Sequence, residues 1–403
     1  MAVEYLVKEE HLKSVADTIR MISNTADSIV FPNEFNTVIN NTVAELNSTL
    51  SGLRTQLTTT SAELLETTSA LTTLHSNVQT NFANARNWAT TSPIQFNCVH
   101  FANGLWVSGS NAGIYYSTIN SDSWYPTAIS SKINAVCFSG NMWFAGSDSG
   151  IYFSSNGTTW NAGQFIPSDK IVSMVAACGV VIATSANGKV YRHDGNSWQH
   201  ILTNSLAFSP AYANGQWVLG YYGGILVSTD NGVSWSAKAT NWSSVTFKNF
   251  DYGNGVWVGS ASGAIVYSSD RGNSWSVATV SSDVTAENSQ FGAIYYADGM
   301  WIISSDPADN YVTAGTGLLY STNGTNWYQT NIKAGRFSNI SYNNGMWVAG
   351  SSNGYGLYYS MDGITWEQSN ITSASTSGIA AGKSRWIAVG TGGSYRSNIW
   401  KSL

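Results

Sequence analysis

The sequence predicts an all-β propeller of eight four-stranded blades, preceded by an α-helical coiled-coil stalk. Three observations carry this expectation. A tryptophan-bearing turn recurs at nearly even spacing along the larger, C-terminal part of the chain, and a second turn containing Asp or Asn with Gly alternates with it. Upstream of both, apolar residues fall on a heptad. Composition agrees: charged residues make up only 10 % of the 403 residues, against about 25 % in an average domain, while 17 Trp and 21 Tyr are present. Polarity therefore comes from Ser, Thr, Asn and Gly, as suits a β-rich surface protein. A net charge of -5 offers no basic face for nucleic acid, and that partner is excluded.

The first element is a module over residues 1–38. Its start, MAVEYLVKEEHL, has acidic residues where a secretion signal is basic, and no apolar region follows. The longest apolar run, Ile171 to Ala183, is broken by Ser173 and Gly179 and is too short to cross a bilayer, so no membrane insertion is expected. Leu12, Val15, Ala16, Ile19 and Ile22 share one face of a short helix, and SIVFPNEF reads as an extended stretch with Pro32 at the entry of the next helix. The string HLKSVADTIR...SIVFPNEFNTVI resembles a module near one end of many bacteriophage tail and baseplate proteins, with the form L-x-x-V-A-D-x-I-R followed by F-P-x-x-F-x-x-x-I. The resemblance implies a virion protein attached to other virion proteins through residues 1–38, in the tail, the baseplate or a capsid-attached fibre.

The second element, residues 39–86, is the stalk. From Ile39 the apolar positions Val43, Leu46, Leu50, Leu53, Leu57, Leu64, Leu71, Leu74 and Val78 alternate steps of three and four, with Thr60, Thr67 and Asn81 in the remaining slots. Six heptads in unbroken register predict a left-handed coiled coil. Leu rather than a β-branched residue fills most a positions, which favours a homotrimer over a dimer.

Residues 87–403 form the wheel. The motif Asn-Gly-x-Trp or a relative places Trp106, Trp143, Trp217, Trp257, Trp301, Trp347 and Trp386 in successive slots 36 to 46 residues apart, with Cys178-Gly179-Val180-Val181 in the one slot lacking Trp. Asn-Gly between two alternating runs is a hairpin signal, because both central residues of a type I′ turn need positive φ. Four strands per unit, a to d from the inside outwards, give eight blades, or seven if the unit with Cys178 is incomplete. The last unit supplies SRWIAVG as strand b and SNIWKSL as strand c; its strand d is expected from NWATTS (87–92), closing the ring.

The second turn gives SSNGTTW, HDGNSW, STDNGVSW, SSDRGNSW, STNGTNW and SMDGITW, with INSDSW degenerate. STDNGVSW and SSDRGNSW match Ser-x-Asp-x-Gly-x-x-Trp and resemble the Asp-box of sialidases and of many non-enzymatic propellers. The sialidase resemblance implies an Arg triad, an early Arg-Ile-Pro and a Tyr–Glu nucleophile, yet no Arg lies between Arg86 and Arg192 and the wheel has only Glu287 and Glu367. Asp230, Asp270 and Asp362 are therefore read as structural turn residues. Asp306 and Asp309 are the best carboxylate pair for another glycosidase, and they read more simply as turn-forming acids. Arg192, His193, Asp194 and His200 lack a third ligand at metal spacing. Cys98, Cys137 and Cys178 read as reduced, small buried residues. No enzyme activity, metal or cofactor is expected.

The functional expectation is a virion receptor-binding protein that recognises a bacterial surface glycan by aromatic stacking and neutral hydrogen bonds. A structural decoration fibre and a glycan depolymerase are the alternatives. Candidate receptor-binding residues are Tyr221, Tyr222, Trp242, Asp306, Asp309, Asn310, Tyr311 and Tyr355, all in b-to-c or d-to-a connections, which vary in length on an otherwise repetitive scaffold.

Overall fold

The computed structural model describes residues 33–119, 121–163, 169–204, 209–238, 244–282, 284, 289–307, 317–333, 335–382 and 385–397. The helix and motif expected within residues 1–32 lie outside them. The chain divides into two compact units, Met1–Thr73 and Leu74–Leu403. A single helix, α1 (Asn33–Arg86), is the described part of the first and runs on into the second. Many of its residues are Thr and Ser, which favour caps and turns over helix interiors. They are accommodated by back-bonding: Thr49 Oγ1 donates to the Glu45 carbonyl at 2.9 Å, Thr58 to Arg54 at 2.9 Å and Thr68 to Leu64 at 2.8 Å. Among the described residues no helix is long and apolar enough to cross a membrane.

The second unit is an eight-bladed β-propeller. Its inner strands a are Phe96–Ala102, Ile133–Ser139, Ile171–Ala177, Pro210–Ala213, Phe247–Gly253, Ser289–Ala297, Phe337–Asn343 and Thr376–Ala381, numbered here as blades 1 to 8. Each packs against the strand a of the next blade, and the last packs against the first. The unit with Cys178 is a full blade: Ile171–Ala177, Val180–Ser185, Lys189–His193 and Trp198–Thr203 pair in order. Blade 6 carries a fifth strand, Thr279–Val280, parallel to its strand d, which the sequence reading did not anticipate.

The repeat works through two sets of tryptophans. In strand b, Trp106, Trp143, Trp217, Trp257, Trp301, Trp347 and Trp386 are all essentially excluded from water. Six of these lie across the a–b pair from an aromatic residue of strand a, as in Phe101–Trp106 with ring centroids 4.5 Å apart and Tyr296–Trp301 at 4.7 Å. Such cross-strand aromatic pairs stabilise a sheet beyond their buried area. The second set opens strand d. In blades 2 and 4 to 7 the indole N–H donates to the carbonyl three residues earlier, as in Trp160 to Gly157 at 2.9 Å, Trp235 to Gly232 at 3.2 Å, Trp327 to Gly324 at 3.2 Å and Trp366 to Gly363 at 2.9 Å. Blade 3 departs from both rules, with Val181 in the strand b slot.

Blade 8 closes the ring with the start of the propeller segment. Trp88–Ser92 pairs antiparallel with strand c, Trp88 opposite Ser397 and Ser92 opposite Ser394. Strand c is Gly393–Ser397, which corrects the assignment of SNIWKSL; residues 398–403 lie outside the described residues. The misreading has a simple cause, since SNIW imitates the Trp-bearing pattern while GSYRS lacks the second apolar residue of its counterparts. Trp88 occupies the eighth strand d slot, and its indole donates to the Ala85 carbonyl at 2.8 Å. The last turn of α1 thus takes the place of a c-to-d turn. Asn370, just after strand d of blade 7, clasps Trp88: its Oδ1 accepts the Trp88 N–H at 2.7 Å and its Nδ2 donates to the Trp88 carbonyl at 2.8 Å. Asn331 makes the same two bonds to Trp366 one blade earlier, at 2.8 and 2.9 Å.

The two clasps differ in what they hold. Asn331 joins strands already linked by continuous chain, whereas Asn370 holds an N-terminal segment that can peel away. Asn370→Ala should lower unfolding free energy by about 1–3 kcal/mol, the cost of leaving partly buried backbone groups unpaired. It should also expose the strand c edge of blade 8, giving aggregation and proteolytic cleavage near residue 88 in urea titration and limited proteolysis. Asn331→Ala should lose comparable stability without that cleavage. Identical proteolysis of the two variants would contradict this account of closure.

Candidate functional site

The strand registers sort every connection to one of two ends of the ring. Phe101 is opposite Trp106 and Trp106 opposite Ser117, so the a-to-b and c-to-d turns share an end, and α1 joins blade 8 at that end through Trp88. The b-to-c and d-to-a connections share the other. We refer to these as the turn end and the loop end.

The turn end is uniform. In the a-to-b turns Asn103, Asn214, Asn254 and Asn344 have φ between 47° and 50°, each followed by Gly, and Cys178 takes the same conformation at 47°. Its place in the turn leaves Cys178 exposed, with Sγ 2.9 Å from the Tyr212 hydroxyl, which corrects the expectation that all three cysteines are buried. Asn tolerates this left-handed region better than most residues, and Gly follows because it has no Cβ. In the c-to-d turns, Asp230 Oδ1 accepts the Ser228 hydroxyl at 2.8 Å and the Ser234 N–H at 2.9 Å, while Ser228 Oγ accepts the Gly232 N–H at 2.9 Å. Asp270 repeats this with Ser268 and Ser274, and Asp362 accepts from Ser360, Ile364 and Thr365. These bonds hold the Asp230 and Asp270 carboxyls down at about 2, with the Ser234 hydroxyl and N–H the main cause at Asp230; at Asp270 burial opposes the shift but is outweighed by the Ser274 and Ser268 bonds.

Asn156 and Asn323 do the same work with an amide oxygen, accepting two backbone N–H groups each at 2.8 to 3.0 Å. An uncharged acceptor serves as well as a carboxylate, so the position requires an acceptor and not a charge. The cluster of Arg192, His193, Asp194 and His200 is built into the same framework. Arg192 Nε donates to the Asn231 carbonyl of the next blade at 3.0 Å, Asp194 accepts from Asn196 and Ser197, and His193 packs on Phe144 and Trp198.

The loop end varies around the ring. Over blades 2 and 3 its charges are paired, Lys189 with Asp169 at 2.9 Å and Lys170 with Asp148 at 3.6 Å. The sequence-predicted residues belong to connections of blades 4 to 7. Tyr222 stands in the b-to-c turn of blade 4, 46 % exposed. Its backbone is fixed by a bridge to Thr246 and by the Gly223 N–H donating to the Val245 carbonyl at 2.9 Å. Tyr221 is half-buried and packs into the cluster between blades 3 and 4. Tyr355, in the b-to-c loop of blade 7, is half-buried; its N–H donates to Ser351 Oγ at 3.2 Å and its carbonyl accepts Gln368 Nε2 at 2.8 Å. The Asp306 backbone pairs with Gln290 at the loop end of blade 6, where strand b extends to Pro307. Trp242, Asp309, Asn310 and Tyr311 lie outside the described residues. Tyr222 and Tyr355 are three blades apart, so the described residues share a face without forming one cluster.

One titratable group escaped the sequence reading. Asp251, on strand a of blade 5, accepts the Tyr296 N–H of blade 6 at 2.7 Å and the Tyr252 N–H at 2.8 Å. Burial pushes its carboxyl up to about 6, against the lowering effect of both N–H bonds. In DYGNG the residue looks like part of a turn, and only the blade packing reveals its burial.

No protein-family model matches the sequence, and no curated protein does. Solved structures share the fold. The computationally designed Ika8 protein is similar over 76 % of this chain and 97 % of its own, with a TM-score of 0.58 at 13 % identity. Saccharomyces cerevisiae Sqt1 is similar over 79 % and 99 %, with a TM-score of 0.58 at 11 % identity. BamB from Moraxella catarrhalis is similar over 77 % and 97 %, at 0.51 and 12 %. At these identities the likeness is one of fold.

Two predictions follow from the carboxylates. Asp230→Ala, Asp270→Ala and Asp362→Ala should each lower stability by about 1–3 kcal/mol in urea unfolding, because backbone donors lose their acceptor; Asp230→Asn, following Asn156, should retain most of it. Asp251 acts in the opposite direction with pH. Its folded value lies above the unfolded value of about 3.9, so its contribution is full below pH 4 and is lost as pH rises through 6. The stability difference between wild type and Asp251→Asn should therefore shift by about 2–3 kcal/mol between pH 4 and pH 7, whatever its offset. A pH-independent difference would contradict the raised carboxyl.

Proposed function

We propose that this chain is a bacteriophage virion receptor-binding protein, attached to the virion through residues 1–38 and binding a bacterial surface glycan through the loop end of its propeller. The observation that carries the reading is the asymmetry of the ring. The blades repeat closely similar turns at the end where α1 joins, whereas the other end carries the d-to-a connections and b-to-c connections that range from a two-residue turn such as Ser110–Gly113 to the longer segments between Pro307 and Gly317 and between Ser351 and Leu357. Variable loops on a rigid scaffold are where binding usually resides. Within blades 4 to 7 the described loop residues include neutral hydrogen-bonding groups and aromatics such as Asn353 and Tyr222, the latter exposed on a pinned backbone, beside Lys333 and Arg336 in the connection between blades 6 and 7. A rigid aromatic platform with neutral donors and acceptors suits a neutral saccharide, which offers apolar ring faces and hydroxyls. The N-terminal resemblance supports the virion setting, and the fold supports a ligand-binding role in general.

Replacing residues 305–315 by a short Gly-Ser turn, or Tyr311→Ala, should abolish or strongly reduce binding to an array of bacterial cell-wall and capsular polysaccharides, with tryptophan fluorescence unchanged. If binding survives both changes, and alanine at Tyr222 and Tyr355 as well, the receptor reading fails and a decoration role replaces it. Release of shortened saccharides from a bound polysaccharide would instead identify a depolymerase.

A further inference from the structure

We infer that the apolar stripe of α1 is covered by two further copies of this chain, parallel and in register, and that this seam ends at Asn81 because the next slot in the heptad is built into the propeller. The inference rests on α1 and blade 8 alone and stands whether or not the propeller binds a receptor.

The stripe needs an occupant. Along α1 the apolar residues in its seam between Val43 and Leu74 are each 38–69 % exposed, in a helix whose remaining surface is mostly Thr, Ser, Asn and a few charges, with Leu65 its one large apolar side chain exposed outside the seam among the described residues. A row repeating every 3.5 residues drifts around a straight helix, and only a supercoiled helix of the same period stays on it for its whole length. From residue 43 to residue 81 the seam runs about 57 Å at a rise of about 1.5 Å per residue. A globular partner does not offer such a surface, and another copy of α1 does.

The polar slots select an identical, parallel partner. Thr60, Thr67 and Asn81 occupy d positions, with Leu57 and Leu64 in the adjoining a positions. A parallel, in-register arrangement puts each polar slot beside its own equivalent. An antiparallel arrangement, centred near residue 62, sets Thr60 and Thr67 against leucines. Thr67 is suited to burial because its hydroxyl already donates to the Glu63 carbonyl at 2.8 Å and leaves the methyl for the seam. The flanking e and g positions carry only Arg54, Glu63 and His75 as titratable groups, so no like charges oppose one another across a parallel pair. Leu in four of six a positions departs from the β-branched pattern of parallel dimers and favours three strands.

The end of the seam is fixed by the fold. Four residues after Asn81 the heptad reaches Ala85, the next a position. Ala85 is completely buried in the core formed with Trp88, Trp386 and Tyr359, and its carbonyl accepts the Trp88 indole as the turn glycines do in other blades. A residue held in this way by its own propeller cannot also face the helices of other copies. The seam therefore ends before Ala85, which belongs to the core of blade 8.

The test is sedimentation equilibrium of the full chain. The mass expected is three times 43.3 kDa. Leu57→Asn with Leu64→Asn should yield a single-chain mass with unchanged propeller tryptophan fluorescence. A single-chain or two-chain mass for the unaltered protein overturns the inference. In a Cys178→Ser background, Leu74→Cys should oxidise to a disulfide between identical positions, as only a parallel register allows; failure to cross-link in an intact trimer overturns the register. Ala85→Leu should lower the propeller Tm and leave the mass at three chains. If it leaves the propeller Tm unchanged and raises the melting temperature of the coil, the seam extends past Asn81 and its proposed end is wrong.

Discussion

Closure of the ring is the constraint on which the rest of the structure depends. A blade is a small twisted sheet that cannot bury both its faces alone, so each needs a neighbour on either side. Eight blades satisfy this only if the eighth meets the first. The chain achieves it by giving blade 8 three strands from the end of the described chain and a fourth, Trp88–Ser92, from before blade 1. Side chains then tie neighbouring inner strands together: Asn97 Nδ2 donates to the Ile133 carbonyl and Asn134 Nδ2 to the Ile171 carbonyl, both at 2.9 Å, and Ser338 Oγ to the Thr376 carbonyl at 2.8 Å. At the closing seam Asp122 of blade 1 meets Arg385 at 3.2 Å and Arg396 of blade 8 at 2.7 Å. That is the degenerate c-to-d turn, and its carboxylate reaches across the seam instead of capping its own strand.

This economy also explains the composition. Turn positions ask for an acceptor, a positive φ and an indole, and the strands ask for Trp, Tyr and β-branched residues. Neither set calls for charge. Asn and Asp alternate freely in the c-to-d turns because the donors they meet are backbone N–H groups and hydroxyls, which bind an amide oxygen nearly as well as a carboxylate oxygen. A motif that looks catalytic when read singly is explained by its repetition. Where a carboxylate does differ from its equivalents, as at Asp251, the cause is burial between two inner strands.

How much of this was legible depends on how locally each feature is encoded. The strand b tryptophans, the Asn-Gly turns and the donation of a strand by NWATTS are readable because each repeats, so one degenerate copy cannot hide the period. Strand c of blade 8 was misplaced for the opposite reason: GSYRS has Ser394 where other blades carry an aliphatic residue and Arg396 where all but blade 3 carry an aromatic or aliphatic one, and that arginine answers to Asp122, some 270 residues away. The two-residue strand Thr279–Val280 carries no pattern at all; its place comes from Thr279 and Ser281 donating to the Thr325 and Trp327 carbonyls. The burial of Asp251 is likewise set by a neighbour that the sequence does not announce. Tyr222 and Tyr355, among the described loop-end residues, share an end of the ring because that is a matter of strand direction, but spacing along the chain did not say that they stand three blades apart.

Ala85 brings the two patterns of the chain together. Read upstream, it is the heptad slot that follows Asn81; read downstream, it stands three residues before a strand d tryptophan, where blades 2 to 7 have the glycine of a turn. Those glycines take positive φ, and Gly157, Gly324 and Gly363 also lie close to the strand b indoles of Trp143, Trp301 and Trp347, where an added Cβ would be crowded. At the end of a helix the backbone is right-handed, so glycine is unnecessary, and alanine is the smallest residue that keeps helix propensity. A larger residue would crowd the blade core, and glycine would weaken the helix. The identity of this residue is thus decided by two packing requirements at once, and it makes the helix end part of the propeller repeat.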